Sequence, residues 1–453
     1  RPAARARAAC RAAAGAMALG PPPTGIGRCL EEIVGRRSAS GLLRKLSVRP
    51  PGHADFCSND YLGLAASSEL ACDIDREMAA YRAARGAEGD RGLGSTGSRL
   101  LTGNSTYYEE TEDMLAAFHN AESALLFNSG FDANFSFFAY VPQKGDVVIF
   151  DELMHASVRE GLRAGRARSV AFKHNDMDSL RQALQEAAAQ RDVVPSAPQG
   201  RPPNLIVSVE TVYSMDGHCA PMAAVCDLAD EFGAAVVADE AHGTGVFGAE
   251  GRGWAAELGV ERRIFCRVHT FGKGLGVHGA AVVGPRVVYD YLINYARPLI
   301  YSTSLPVHSV ASIRCAYALM RRSAAERQAH LRGLIELFQT RLRLLPRGCA
   351  LESPSPIQGI IVPGNAACVA AARRLQGLGF HVLPIRSPTV PAGTERLRII
   401  LHHHNSREEV GALMDAIDDL LCSTAGLPPQ ASHGAGLAEL GALPQAVPAA
   451  SKL

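Results

Sequence analysis

This 453-residue sequence lacks the features that mark membrane proteins and nucleic-acid-binding proteins. No apolar run reaches eighteen residues, so a membrane-spanning helix is not expected. Basic and acidic residues nearly balance, giving a net charge of +1, and no overall field would therefore attract nucleic acid. We expect neither a membrane nor a nucleic acid as partner.

Metal-binding and disulfide patterns are missing as well. The eleven cysteines form no Cys-x-x-Cys pair and no zinc spacing, and their odd number favours free thiols in a reducing compartment. His402, His403 and His404 predict no metal site, because consecutive residues of an extended segment point to alternating faces. No acid or cysteine cluster accompanies them in the sequence, so no metal is expected.

Glycine patterns for nucleotides are incomplete. Gly-x-Gly-x-x-Gly begins at Gly92, Gly243 and Gly274, but none of the three has the preceding strand, following helix and distal acid of a dinucleotide fingerprint. The Walker pattern fails because Arg267 stands at its first glycine and Gly274 follows the lysine. An NAD-dependent oxidoreductase therefore stays only a disfavoured alternative.

What is present is an alternation of buried strands and helices. Apolar residues make up 47% of the chain, enough for a sizeable core. Strands are predicted at 124–127, 147–150, 205–209 and 234–238, and helices at 109–118, 177–189 and 223–232. This order predicts an α/β domain with a mostly parallel sheet covered on both faces.

The sequence after Pro306 has a different pattern. A long helical stretch at 313–345 precedes strands near 357–362 and 398–401 and a last helix at 408–421, which predicts a smaller α+β domain. The predicted division is an extension with targeting or disordered character at 1–35, an arm at 36–58, a large domain at 59–306, a small domain at 307–422 and a tail at 423–453.

The two ends carry possible targeting signals. The first thirty residues contain five arginines and no acid, as organelle transit peptides do, although Met17 could also be the true start. Ser451-Lys452-Leu453 at the other end is a peroxisomal address read by an import receptor. The peroxisome is therefore the expected location, with mitochondrion, plastid and cytosol as alternatives.

Lys273 is the candidate nucleophile. It lies among glycines, three residues after Thr270, which suits an amine that forms and exchanges a covalent bond with a bulky ligand. Asp239 and His242 directly follow the predicted strand 234–238, at the carboxyl edge where α/β sheets bind ligands. The alternative is an ordinary solvated loop lysine.

Two further polar residues follow predicted strands. His155 lies just beyond the strand at 147–150, where the simpler interpretation is a satisfied loop histidine. Ser214 follows the strand at 205–209, where its simpler role is to cap a turn.

These motifs resemble the α-oxoamine synthases, which are pyridoxal-phosphate enzymes of fold type I. The resemblance spans roughly 36–421 and is carried by Asp-Glu-Ala-His-Gly-Thr-Gly at 239–245, Thr-Phe-Gly-Lys-Gly-Leu-Gly at 270–276 and His-Ala-Ser at 155–157. It implies a seven-stranded, mostly parallel sheet in the large domain, the cofactor pyridoxal 5'-phosphate, and a homodimer with shared active sites.

The resemblance also implies roles around the cofactor ring. Lys273 would hold the cofactor as a Schiff base and later remove the α-proton of the substrate. Asp239 would pair with the protonated pyridine nitrogen. The imidazole of His155 would stack on the ring, and His242 and Ser214 would lie near its phenolic oxygen.

The phosphate would be held elsewhere in the same site. Gly130 and Phe131 would offer backbone N–H groups at a helix start, and Thr270 would add a hydroxyl. By the same resemblance, Thr303 would come from the partner subunit.

Within the family, the likeness is strongest to the members that condense L-alanine with pimeloyl-CoA to 8-amino-7-oxononanoate in biotin biosynthesis. The segments that carry it include 97–104 and 388–391. His155 would also contact the substrate, Arg386 would take its carboxylate with help from Asn59, and Thr389 would lie nearby. Arg44 would meet the acyl-CoA, a place that Arg37 or Lys45 could also take.

Other members stay as alternatives. They condense glycine with acetyl-CoA or succinyl-CoA, or serine with a long-chain acyl-CoA. A non-catalytic partner subunit is the alternative of another class, and it is disfavoured because Lys273, Asp239 and His242 are all present.

Overall fold

The computed structural model describes residues 24–40, 42–44, 46, 48–85, 92–191, 202–345 and 348–424. Lys45, most of the amino-terminal extension and nearly all of the tail, including Ser451-Lys452-Leu453, lie outside these ranges. Across the described residues, no helix combines the length and the apolar character needed to cross a bilayer.

Thirteen strands and thirteen α-helices are formed in the described ranges. The strands are β1 (Ala54–Asp55), β2 (Ser123–Phe127), β3 (Val147–Asp151), β4 (Arg168–Phe172), β5 (Leu205–Glu210), β6 (Ala235–Asp239), β7 (Cys266–Thr270), β8 (Ala280–Gly284), β9 (Ala350–Leu351), β10 (Ile357–Ile361), β11 (Phe380–His381), β12 (Leu383–Ile385) and β13 (Arg396–Ile400). The helices are α1 (Gly25–Ala39), α2 (Ser68–Arg85), α3 (Thr106–Phe118), α4 (Gly130–Tyr140), α5 (Ala156–Ala164), α6 (Met177–Arg191), α7 (Met222–Phe232), α8 (Trp254–Glu257), α9 (Arg286–Tyr295), α10 (Arg297–Ile300), α11 (Val307–Leu342), α12 (Asn365–Gly377) and α13 (Arg407–Thr424).

A seven-stranded sheet forms the centre of the fold, in the order β2-β8-β7-β6-β5-β3-β4. Its pairs are parallel except at β8, which runs antiparallel to both β2 and β7. Strands β2 and β5 are buried along their whole length, which explains their continuous apolar runs. The predicted mostly parallel seven-stranded sheet is confirmed.

The carboxyl-terminal part contains a second, antiparallel sheet in the order β12-β13-β10-β9. Strand β1 pairs in parallel with β11 and so ties the chain before the large sheet to this part. Helix α11, 36 residues long, contributes to two cores. Val310 and Tyr317 in its first half pack in one cluster, and Leu334 and Phe338 in its second half pack in another.

The sheet brings the predicted site residues to one edge. Strands β2, β3, β5, β6 and β7 all run in the same direction, so the segments that follow them emerge together. These segments begin with Asn128, Glu152, Thr211, Glu240 and Phe271. The domain division made from the sequence stays a prediction.

Candidate active site

Asp239 ends β6 and is almost completely buried, with an exposure of 6%. Asn134 Nδ2 donates to its Oδ2 at 2.7 Å, and the backbone N–H of Ala241 donates to its Oδ1 at 2.8 Å. These two donors fix the orientation of the Asp239 carboxylate. Asn134, from the middle of α4, was not anticipated from the sequence.

Lys273 lies in the turn after β7, and its Nζ is 2.9 Å from His242 Nε2. Burial lowers the pKa of the Lys273 amine, and the charge of Arg398 acts in the same direction. The charge of Asp239 opposes this shift without cancelling it. The amine is therefore neutral for a larger fraction of the time than an exposed lysine.

His242 connects this amine to Tyr61. The Tyr61 hydroxyl lies 2.5 Å from His242 Nδ1, and both side chains are buried. Burial lowers the pKa of His242 well below its usual value, helped by the charges of Lys273 and Arg398, so the imidazole is neutral. Burial also raises the pKa of Tyr61, so its hydroxyl keeps the proton. With Tyr61 donating to Nδ1, the Nε2–H of His242 can donate to a neutral Lys273.

A second buried carboxyl, Glu210, ends β5 beside this group. Burial and the nearby charge of Asp239 raise the pKa of Glu210 well above its usual value. Its Oε1 has no hydrogen-bond partner among the described residues. A protonated Glu210 avoids placing a second buried negative charge in the site.

His155 begins α5 and faces the open side of the site. Its Nδ1 accepts from the Ser157 N–H at 3.2 Å and contacts the Ser157 hydroxyl at 2.7 Å. The His155 side chain is exposed to water on one side. Partial burial still lowers the pKa of His155, and the charge of Asp239 opposes this shift. The predicted loop position is thus a helix cap that also lies within electrostatic reach of Asp239 and Lys273.

The start of α4 offers backbone N–H groups at the same edge. The Ser129 hydroxyl caps the helix by accepting from the Asp132 N–H at 3.1 Å. A Cβ at Gly130 would lie 2.5 Å from the Thr270 hydroxyl, so only glycine allows this approach. Phe131 follows with its ring 46% exposed. The helix start and the Thr270 hydroxyl together suit a phosphate.

Thr303 lies close to this helix start. Its carbonyl oxygen accepts from Asn128 Nδ2 of the same chain at 2.9 Å. Its predicted contribution to the site of a partner subunit stays a prediction.

Arg398, from β13, is the main residue that the sequence reasoning missed. Its Nε donates to the Ser214 carbonyl at 2.6 Å and its Nη2 to Asn59 Oδ1 at 3.1 Å. Its charge also acts on both Lys273 and His242. These two hydrogen bonds use only part of a guanidinium's five donors, so Arg398 can still bind a carboxylate.

Arg386 was predicted to bind the substrate carboxylate, with help from Asn59. In the structure, Asn59 accepts from Arg398. Arg386 lines a cavity of about 170 Å³ with Arg44, Thr389 and Arg37. We call this cavity the arginine groove, and the predicted carboxylate-binding role of Arg386 stays a prediction.

Arg398→Lys is expected to raise the KM for the amino-acid substrate by about 10- to 100-fold, since hydrogen bonds to charged groups contribute about 1.5–3 kcal/mol. Lysine keeps the charge but loses the planar fork that binds a carboxylate through two bonds. Steady-state kinetics with the amino acid varied measures this change. Arg386→Lys serves as the matched variant, and a larger amino-acid KM increase there would return the carboxylate role to Arg386.

The triple histidine is only partly as expected. His402 and His404 do share a face, with their rings 4.6 Å apart, whereas His403 packs against His330. The expectation that no acid accompanies them is wrong in space, because Asp55 lies within 4.8 Å of His402 and His404. Both ring nitrogens of His402 are already bonded, to Asn405 Oδ1 at 3.0 Å and to the Ser58 carbonyl at 2.9 Å.

Known proteins share this fold and much of this sequence. The profile of the aminotransferase class I and II family matches residues 52–417. The chain belongs to the aminotransferase class I and II family. An 8-amino-7-oxononanoate synthase of Emericella nidulans is 43% identical over 418 residues, covering 88% of this chain and 97% of the relative. The aminoacyl transferase sphA of Aspergillus fumigatus is 36% identical, covering 86% of each.

Solved structures of this aminotransferase family agree. The serine palmitoyltransferase of Sphingomonas wittichii superimposes with a TM-score of 0.74 at 27% identity, over 88% of this chain and 99% of that one. A lysine-to-alanine variant of a serine palmitoyltransferase from S. paucimobilis, with a bound aldimine of pyridoxal phosphate and myriocin, gives a TM-score of 0.74 at 25% identity, over 88% of this chain and 98% of that one. The resemblance, the fold class and the prediction of a pyridoxal-phosphate-dependent acyltransferase are confirmed.

Proposed function

We propose that the chain condenses L-alanine with pimeloyl-CoA to give 8-amino-7-oxononanoate, CoA and carbon dioxide, the step that feeds biotin ring assembly. The observation that carries this proposal is the 43% identity to the 8-amino-7-oxononanoate synthase of Emericella nidulans across 97% of that protein. The grouping of Lys273, His242, Asp239 and His155 at one sheet edge supports it, because the family resemblance places all four around the cofactor ring.

The residues present fit pyridoxal phosphate. Asp239, fixed by two donors, would hold the pyridine nitrogen, His155 would cover one ring face, and the start of α4 with Thr270 would bind the phosphate. Lys273 would provide the covalent attachment. When bound, the cofactor supplies an electron-withdrawing ring that makes the Cα–H of an attached amino acid acidic.

Lys273 is the proposed base for that proton. Its lowered pKa increases the fraction of the amine that is neutral and can act as a base. His242, neutral and held by Tyr61, orients Nζ at 2.9 Å without adding a positive charge. His242 and Ser214, by the resemblance, would also lie beside the phenolic oxygen.

Each of the two substrates would be bound by its own arginine site. Arg398, with Asn59, would bind the carboxylate of L-alanine close to Lys273. The arginine groove, with Arg44, Arg386 and Thr389, would bind the anionic pimeloyl-CoA. Separate sites for the two anions would hold the amino acid and the thioester in a fixed relative orientation.

We also propose a homodimer with shared active sites and import into peroxisomes through Ser451-Lys452-Leu453. The location proposal predicts that a fluorescent fusion with a free carboxyl terminus collects in peroxisomes, and that the same fusion lacking these three residues does not.

A second candidate is condensation of serine with a long-chain acyl-CoA. It is favoured by the TM-score of 0.74 to a serine palmitoyltransferase. The lower identity, 27% against 43%, makes it the weaker proposal.

A CoA-release assay distinguishes the candidates. It crosses alanine, glycine and serine with pimeloyl-, acetyl-, succinyl- and palmitoyl-CoA. We expect alanine with pimeloyl-CoA to give the highest kcat/KM, by about 100-fold over palmitoyl-CoA, since a site built to bind a substrate's polar group strongly rejects an analogue without it. A preference for serine with palmitoyl-CoA would replace the first proposal by the second.

A further inference from the structure

Two histidines and an aspartate turn three ligand atoms toward one another beyond the ends of β4 and β5. His174 Nε2 lies 3.0 Å from His218 Nδ1 and 3.7 Å from Asp216 Oδ2, and His218 Nδ1 lies 3.5 Å from Asp216 Oδ2. Around a tetrahedral zinc ion with bonds of about 2.0–2.1 Å, neighbouring ligand atoms are about 3.3 Å apart. The three observed separations bracket that value.

The His174 ring is also fixed on the side away from these ligand atoms. His174 Nδ1 lies 3.1 Å from both carboxylate oxygens of Asp151, which is completely buried. Asp151 in turn accepts from the N–H groups of Leu153 at 2.8 Å and Asn175 at 2.9 Å. A carboxylate behind a histidine is the usual support of a metal-ligating imidazole, because it fixes the ring and its tautomer.

The turn at Gly217 presents the other two ligands. Asp216 Oδ1 accepts from the His218 N–H at 3.0 Å, which leaves Oδ2 facing the histidines. This turn needs glycine, because φ is +75° and a Cβ would lie 2.2 Å from the Ile357 carbonyl. The Asp216 side chain is 5% exposed and that of His218 is 36% exposed, so the cluster is anchored inside and open to solvent on one side.

We propose that His174, Asp216 and His218 form a binding site for Zn²⁺, with a fourth position open to water. Two imidazoles and one carboxylate are ligands that zinc takes in proteins. The site joins the segment after β4 to the turn after β5 that carries Ser214. The Tyr213 ring meets His174 edge-on at 4.4 Å. A bound ion would therefore fix this turn in addition to Arg398, which holds the Ser214 carbonyl.

Cobalt substitution tests the site on the full-length chain loaded with its cofactor. After dialysis against a chelator, titration with Co²⁺ is expected to produce the visible absorption of a tetrahedral nitrogen-oxygen site at one equivalent. Because the described residues include ten free cysteines, thiolate binding must be recognised, and it would show as a sulfur-to-cobalt band in the near ultraviolet. Zn²⁺ should displace the Co²⁺ signal.

Three variants decide the assignment. His218→Ala removes a ligand from a partly exposed position and is expected to weaken Co²⁺ binding at least tenfold. Asp151→Asn keeps all three ligands and should weaken it about 10- to 100-fold, as supporting carboxylates do. His308→Ala, on an exposed histidine at the start of α11, should change nothing.

Thermal unfolding gives a second readout that does not depend on colour. Zn²⁺ should raise the Tm of the unchanged chain and of His308→Ala but not of His218→Ala, because only an ion bound to the folded site stabilises it. Equal binding by the unchanged chain and His218→Ala, absence of binding, or a thiolate band would each overturn the proposal. In that case His174 and His218 share a direct N–H···N hydrogen bond without metal.

Discussion

Lys273→Ala is expected to lower turnover by about 10⁴-fold, near the upper end of what a positioned general base contributes. The amine lies 2.9 Å from a neutral, oriented His242, and burial lowers the pKa of the amine, so a larger fraction of it is free to accept a proton. Alanine removes this base and also the amine that would attach the cofactor. CoA release at saturating substrates measures the loss.

Two controls accompany this result. Lys144→Ala changes an exposed lysine after α4 and should keep full turnover. Borohydride reduction of the unchanged protein should fix the cofactor on the peptide that contains Lys273, as mass spectrometry can show. Retained turnover in Lys273→Ala, or a label on another lysine, would remove Lys273 from the mechanism.

Asp239→Asn is expected to lower turnover by about 10²–10³-fold while the cofactor stays bound, which is what loss of one preorganised electrostatic contact typically costs. The substitution keeps the size of the side chain, and Asn134 can rotate its amide to present Oδ1 to the new amide group. Oδ1 of Asn134 has no hydrogen-bond partner among the described residues. The fold should therefore survive, and the lost quantity is the negative charge.

The measurement pairs the turnover with the cofactor content determined by absorbance. Asp178→Asn, on the exposed side of α6, is the control for a generic loss of one charge. If Asp239→Asn binds cofactor and its turnover stays within a few-fold of the unchanged enzyme, the proposed role of Asp239 is wrong.

The sequence was sufficient wherever local pattern decides structure. Apolar runs predicted β2, β3, β5 and β6 to within a residue or two, because buried parallel strands are apolar along their length. Strands β4, β7 and β8 were not predicted. β4 is at the edge of the sheet and largely exposed, and β7 contains Arg267 and His269 within its buried run. Arg267 and His269 interrupt the apolar run, so a search for apolar runs does not find β7.

Candidate site residues could be chosen from the sequence only where they lie in a local pattern. Asp239, His242 and His155 lie at or after the ends of predicted strands, and Lys273 lies among glycines. Tyr61 reaches His242 across 181 residues of sequence, and Arg398 reaches Asn59 across 339, so no local pattern relates them. One signal was available for Arg398, since a guanidinium between Leu397 and Ile399 in an apolar strand requires a specific partner.

Helix α11, 36 residues long, connects the segment that carries Lys273 to the strand that carries Arg398. Its two halves belong to separate cores, one shared with the segment at Lys273 through Phe271 and Leu275, the other shared with β13 through Leu397 and Ile399. A hydrogen-bonded helix neither stretches nor folds back easily. The rigid helix would therefore keep the Lys273 amine and the Arg398 guanidinium at a nearly constant separation. That separation would limit the size of an amino acid bound between them.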